Sequence, residues 1–245
     1  MHNAFPLLKS ILKQLDQMDL VQTNHYDTHK IILIFHVFCG VIALLTGLIA
    51  IIAMKGSRLH ITSGKGFYLA MFAVGILSFI LASIKFNPFL LSIGIFSLYM
   101  VIRGRRALFY YRLIESYNST MIDKLPVYLG LLTAIFMIVY PGYMIVFYHS
   151  EGIFILIIFG SILSMMVYSD LKILYKNSVF LPYHKKWIFK HIVMMLGTYI
   201  AATTAFLVNV VKFDPPWVLC LSPTVVGVLT ITYFNKQWRI KLKEA

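Results

Sequence analysis

Residues 31–54 read IILIFHVFCGVIALLTGLIAIIAM. The run holds no Asp, Glu, Lys or Arg, and at 1.5 Å per residue it is long enough as a helix to cross a hydrocarbon layer of ~30 Å. Six more stretches of this kind follow, at about 66–85, 88–108, 126–147, 153–174, 187–211 and 217–234. Turn-forming residues separate them: Lys55-Gly56-Ser57, Asn87-Pro88, Leu125-Pro126, Ser150-Glu151-Gly152, Leu181-Pro182 and Asp214-Pro215-Pro216. The pattern predicts an all-α fold, a polytopic transmembrane helix bundle of seven spans.

Composition points the same way. Hydrophobic residues make up 60% of the 245 and charged residues 13%, against roughly 45–50% and about 25% in soluble domains. The bilayer is therefore the expected solvent and the first partner. A formal charge of +13 would suggest nucleic acid in a soluble protein, but here the basic residues stand at span ends, where they set topology. No nucleic-acid role is expected. Seventeen of the 22 Lys and Arg residues fall on one side of the spans, and five (Lys9, Lys13, Lys30, Lys85 and Lys212) on the other. This asymmetry predicts a cytoplasmic C-terminus and an outside N-terminus. Anionic lipid headgroups are the expected partners of the basic face, and a membrane protein partner or a homo-oligomer stays open.

Three segments follow: an N-terminal amphipathic, interfacial stretch over 1–30, a seven-span domain over 31–236, and a basic cytoplasmic tail over 237–245. In the first, Phe5, Leu8, Leu12 and Leu15 recur at helical spacing, with Lys9, Lys13 and Asp16 elsewhere. It lacks the continuous apolar centre of a signal peptide, and Met18 is a second candidate start. Asp27 or Thr28 is placed to cap span one, which would leave His25 outside the helix. Cys39 and Cys220 lie in separate apolar runs and read as packing residues.

Small residues at Gly197, Ala201 and Ala205 mark span six as a central, closely packed helix, with a substrate path along the ridge as the alternative. Tyr140-Pro141-Gly142 and Ser222-Pro223 are expected to interrupt spans four and seven.

Polar groups inside lipid are costly, so the few present are the functional candidates. No acidic or basic residue stands near the middle of any span, which argues against a carboxylate relay and an ion-coupled pump; the lack of a lysine in span seven removes a retinal site. Histidines remain. His36 sits about five residues inside span one from the outer side, and His191 about five inside span six from the inner side. On the order of 15 Å separates their levels, so one metal or haem cannot join them. His60, in the first cytoplasmic loop, and His184 share the side of His191, and an inner-face pair of His60 with His191 is allowed. Imidazole ligates haem and metals, and Arg58, Arg103, Arg105 and Arg106 are available for haem propionates. The bland alternative is that these histidines bond a neighbouring carbonyl and the arginines only enforce topology. On the outer side His25 and His29 are four apart and would chelate one metal if helical, with His149 as a third group. No H-E-x-x-H, C-x-x-C, G-x-S-x-G or phosphate-binding glycine loop occurs.

The run Lys55-Gly56-Ser57-Arg58-Leu59-His60 with Gly64, together with His36, Gly40 and Gly47 and with Trp187, His191, Met195, Tyr199 and Thr204-Ala205-Phe206, resembles a family of uncharacterised bacterial multi-pass membrane proteins, a domain of unknown function. The likeness covers about residues 31–70 and 187–211. It departs at Ile61, where a basic residue would follow the loop histidine. The resemblance implies the bacterial cytoplasmic (inner) membrane and His36, His60 and His191 as candidate positions. The functional expectations are therefore haem b or metal binding through inner-face histidines in redox or assembly work, a small-molecule or lipid transporter with a cavity near Tyr140, Thr204 and Asn209, or a non-catalytic partner subunit.

Overall fold

The computed structural model describes residues 4–149, 153–176, 179–180, 186–211, 213 and 217–244, with side chains for 28–149, 153–175, 186–211, 213 and 218–241. Its elements are α1 (Ala4–Ile52), α2 (Arg58–Ile84), α3 (Pro88–Tyr111), β1 (Tyr117–Asn118), α4 (Met121–Tyr148), α5 (Phe154–Lys176), β2 (Val179–Phe180), α6 (Lys186–Val210) and α7 (Trp217–Glu244). Seven helical segments are long and apolar enough to cross a membrane, the make-up of a multi-pass membrane protein. The strand pair adds to the all-α expectation only a two-residue antiparallel ladder, Tyr117 opposite Phe180 and Asn118 opposite Val179. It joins the α3–α4 and α5–α6 connections at the basic end.

Local chemistry sets most helix ends. Gly56 takes φ +87°, in the left-handed region that glycine enters without steric penalty, and turns the chain between α1 and α2. Ser57 then caps α2 by accepting a bond from the His60 N–H at 3.2 Å. Ser57→Ala is expected to lower stability by about 1 kcal/mol, the usual worth of such a cap, readable as a shift in the detergent unfolding curve. Asn87 caps α3 by accepting from Leu90 N at 2.9 Å, with Pro88 in the first turn, where a missing N–H is harmless.

Four expectations are corrected. His60 lies in the first turn of α2 and not in a loop, because the Ser57 cap starts the helix eight residues before the apolar run does. The α3–α4 turn falls at 112–120 instead of at Leu125-Pro126, because Asp123 reaches back to the Thr120 N–H at 2.9 Å and starts α4 at Met121. No cap forms at Asp27 or Thr28: α1 runs unbroken from Ala4 to Ile52, and no Gly or Pro between 7 and 39 interrupts it. Pro126, Pro141 and Pro223 all lie inside continuous helices; within apolar spans neighbouring groups compensate for the missing bond.

Helices α3 and α6 form the hub. Helix α3 packs against α2, α4 and α6, and α6 against α3, α7 and the crossing point of α1; α1 runs along α2, and α5 along α4. In lipid, such contacts depend on close packing more than on apolar transfer. The small-residue ridge of α6 serves that purpose. Ala201, Thr198 and Thr204 are buried, and a Cβ built on Gly197 would stand 3.0 Å from Met100 Sδ of α3. The main core gathers Tyr99, Met100, Tyr110, Met137, Leu163, Val167 and Trp187 between α3, α4, α5 and α6, with the rings of Tyr110 and Trp187 4.7 Å apart.

Candidate functional site

A cavity of about 500 Å³ opens at the basic end of the hub. Its walls come from the last turns of α1 (Gly47, Ala50, Ile51), the first turns of α2 (His60, Phe67, Tyr68), the end of α3 (Arg105, Leu108, Tyr111, Arg112), the start of α6 (Ile188, His191, Met195, Tyr199), and Phe234 and Trp238 of α7. The wall is mostly apolar. Among the described residues its charged members are Lys55, Lys65, Arg105 and Arg112, with no carboxylate beside them. A volume of this size falls in the range of sites for small organic ligands, roughly 300–1,000 Å³, and the one-signed lining favours an anionic group.

The two inner-side histidines of the sequence reading meet here. His60 Nδ1 lies 2.9 Å from Ala50 O, and His191 Nδ1 lies 2.9 Å from Gly104 O. A carbonyl oxygen only accepts, so both Nδ1 atoms carry a proton, and in the neutral ring the lone pair is then on Nε2. Neither Nε2 has a hydrogen-bond partner among the described residues, and neither is fully buried. His60 also does local work, since Ala50 O belongs to the last turn of α1, where carbonyls lack helical partners. Lys55 shares that duty. Its ammonium donates to Ala50 O at 3.0 Å and to Ile51 O, and lies 4.4 Å from the centre of the Phe234 ring. Burial pulls the Lys55 ammonium below the usual lysine range. Gly104 O, by contrast, is in the interior of α3, so helix capping does not call for the His191 bond.

Close helix approach makes that bond reachable. A Cβ on Gly104 would come within 2.8 Å of Met195 Sδ and 3.1 Å of Met194 Cβ. At Gly47 it would stand 2.6 Å from Tyr199 Cδ2, so α1 also crosses α6 at a glycine.

Other sequence candidates stay apart. Arg58 is exposed and does not line the cavity. His36 sits part-buried in α1 against the Val74 backbone, away from the cavity. His29 is on α1, and the side chain of His25 and all of His184 lie outside the described residues. Among the described residues no three His, Cys, Asp or Glu side chains gather as a metal site. Tyr140, Thr204 and Asn209 do not line the cavity.

The arginine run 103–106 divides its roles by helical angle. Successive residues turn by about 100°, so Arg103 and Arg106 share one side of α3, and Arg105 turns to the cavity. Arg103 Nε donates to Asp170 Oδ2 at 2.6 Å, with both side chains fully buried, and Tyr99 OH donates to the same oxygen at 2.9 Å. Lys190 pairs with Asp170 Oδ1. Arg106 reaches Asp123 Oδ1 at 2.7–2.8 Å, Tyr110 OH bonds the same carboxylate, and Thr120 closes it from the other side. Arg103 and Arg106 are thus engaged by carboxylates, which leaves Arg105 and Arg112 as the arginines at the cavity.

These carboxylates stand away from the span centres, where a buried charge is most conspicuous in sequence. The usable signal is Asp170, the one acid inside the seven stretches read from the sequence, since an acid there requires a cation; Asp123 enters a span only because its cap starts α4 at Met121. Searches against family models, curated proteins and solved structures found no match to this chain.

Proposed function

We propose that this protein is a multi-pass protein of the bacterial cytoplasmic membrane, C-terminus inside, that holds haem b between His60 and His191 for one-electron redox or haem-assembly work. The observation that carries the reading is the pair of lone-pair Nε2 atoms at one cavity, each fixed by an Nδ1–H bond to a backbone carbonyl. Metal-ligating imidazoles are commonly held by this arrangement, which sets the tautomer and the ring plane. The apolar wall suits a porphyrin face, and Lys65, Arg105 and Arg112 suit its two propionates. Bound haem supplies one-electron chemistry at iron. The protein's share is to present two imidazoles, to cover the ring with Phe67, Met195 and Tyr199, and to neutralise the carboxylates at the basic end. Anionic headgroups would meet the remaining cations of that end.

The test is an absorption spectrum, oxidised and dithionite-reduced, of protein purified in mild detergent from haem-supplemented cells, with metal analysis of the same sample. A Soret band at one haem per chain is expected, lost in His60→Ala and in His191→Ala and kept in His36→Ala. A folded, colourless and metal-free protein would overturn the proposal. The transporter reading then gains ground, with this basic cavity in place of one near Tyr140, Thr204 and Asn209.

A further inference from the structure

The buried trio of Arg103, Asp170 and Lys190 has no part in ligating anything, and it is a poor source of stability. Taking three charges out of water costs about as much as their attraction returns, and apolar residues of the same volume often do as well or better. What such a cluster supplies is a defined geometry. The residues next to it in sequence are informative here: Arg103 precedes Gly104 on α3, and Lys190 precedes His191 on α6. The first of each pair reaches Asp170 of α5, and the second of each pair forms the His191–Gly104 bond across the seam between α3 and α6.

Helix α5 packs along α4 and only slightly on α3. Asp170 therefore works as a fixed point brought from outside the seam. Its Oδ2 takes Arg103 and Tyr99 from α3, and its Oδ1 takes Lys190 from α6. With both helices tied to the two oxygens of one carboxylate, their relative rotation and slide are set. A rotation of either helix that moved Lys190 or Arg103 off Asp170 would also carry His191 away from Gly104 O, because neighbouring residues on a helix move together.

We propose that Asp170 is a positioning residue for His191: it locks α3 and α6 in the register that keeps the His191 proton on Nδ1 and its lone pair toward the cavity. The inference concerns the site assigned above to haem, but it is tested on protein without any ligand.

The experiment is nitrogen-15 NMR of histidine-labelled protein in detergent, with the His191 signal assigned by its loss in His191→Gln. The wild type is expected to show His191 as one Nδ1–H tautomer. Because Asp170→Asn leaves two buried cations and can fail to fold, the informative variant removes all three charges together: Arg103→Met, Asp170→Leu and Lys190→Met. That protein is expected to keep its unfolding midpoint, while the Nδ1–H preference of His191 falls about fivefold, the factor one ordinary hydrogen bond supports. His60, bonded to Ala50 O on α1, is expected to be unchanged and serves as the internal control. A variant with His191 still in one Nδ1–H form would overturn the proposal, as would a wild type lacking that form. Neither result depends on haem, so a missing Soret band beside the expected tautomer change would remove the haem reading alone.

Discussion

Asp170→Ala is expected to lower the unfolding free energy by about 3–5 kcal/mol, the usual cost of removing one member of a buried ion pair. Little of that loss is attraction forgone. Arg103 has a fully buried side chain and Lys190 is only 13% exposed, so both would remain in a low-dielectric interior without a counter-charge. Tyr99, whose hydroxyl donates to Asp170, would lose its acceptor as well. Equilibrium unfolding in mixed micelles, followed by the fluorescence of the buried Trp187, measures the change. A loss under ~1 kcal/mol, the range of exposed pairs, would mean that water reaches the cluster and that α3, α5 and α6 are less closely joined than described.

Gly104→Val has the second large effect, and it falls on the site more than on the fold. A Cβ at this position meets Met195 Sδ at 2.8 Å and Met194 Cβ at 3.1 Å. The methionine sulfur can swing aside, but Met194 Cβ is fixed to the α6 backbone, so the seam has to open. Overpacking of this kind costs typically 1–3 kcal/mol. The His191 Nδ1 to Gly104 O distance of 2.9 Å is near the normal length, and the bond lengthens and weakens as the helices separate. Loss of such an orienting bond typically weakens metal binding 10–100-fold. Titration of the apoprotein with haemin is expected to show a drop of that order, and Gly40→Val, at a position with open space around it, is expected to bind as the wild type does. Equal affinities for the two variants would mean that the α3–α6 seam does not aim His191.

Much of the architecture is legible because a bilayer constrains sequence so strongly. A segment such as 31–54 has to satisfy its backbone internally, and without charges it has few alternatives to a helix. Span boundaries were less legible than span existence. Ser57 and Asp123 start α2 and α4 well before the apolar runs do, since capping chemistry and hydropathy are separate signals. The continuity of α1 through His25 and His29 was misread for the same reason: Asp27 and Thr28 are good caps, but a cap acts only where the helix has cause to end.

The candidate site was half legible. His191, near one end of span six, and His60, in the loop before span two, stand out in the sequence as polar groups on the same expected side, and they line one cavity. Arg58 was grouped with them by nearness in sequence, yet helical rotation turns it out to the surface while His60, two residues on, turns in. The expected carbonyl bonds to these histidines are also present. They leave Nε2 open and so fit both the structural and the ligating reading.

The sequence by itself determined that this chain forms seven apolar helices, which end of them is basic, and which few polar residues lie within them. Those properties are local: length, composition and turn chemistry act over a few residues. Only the tertiary structure decided that Asp170 takes Arg103 and Lys190, that Asp123 takes Arg106, and that His191 donates to Gly104. The partners in the first and last of these are 67 and 87 residues apart, and nothing local distinguishes one arginine of the 103–106 run from another. The choice depends on which helices pack together and at what rotation, and that is set by the summed fit of small residues at α3, α6 and their neighbours.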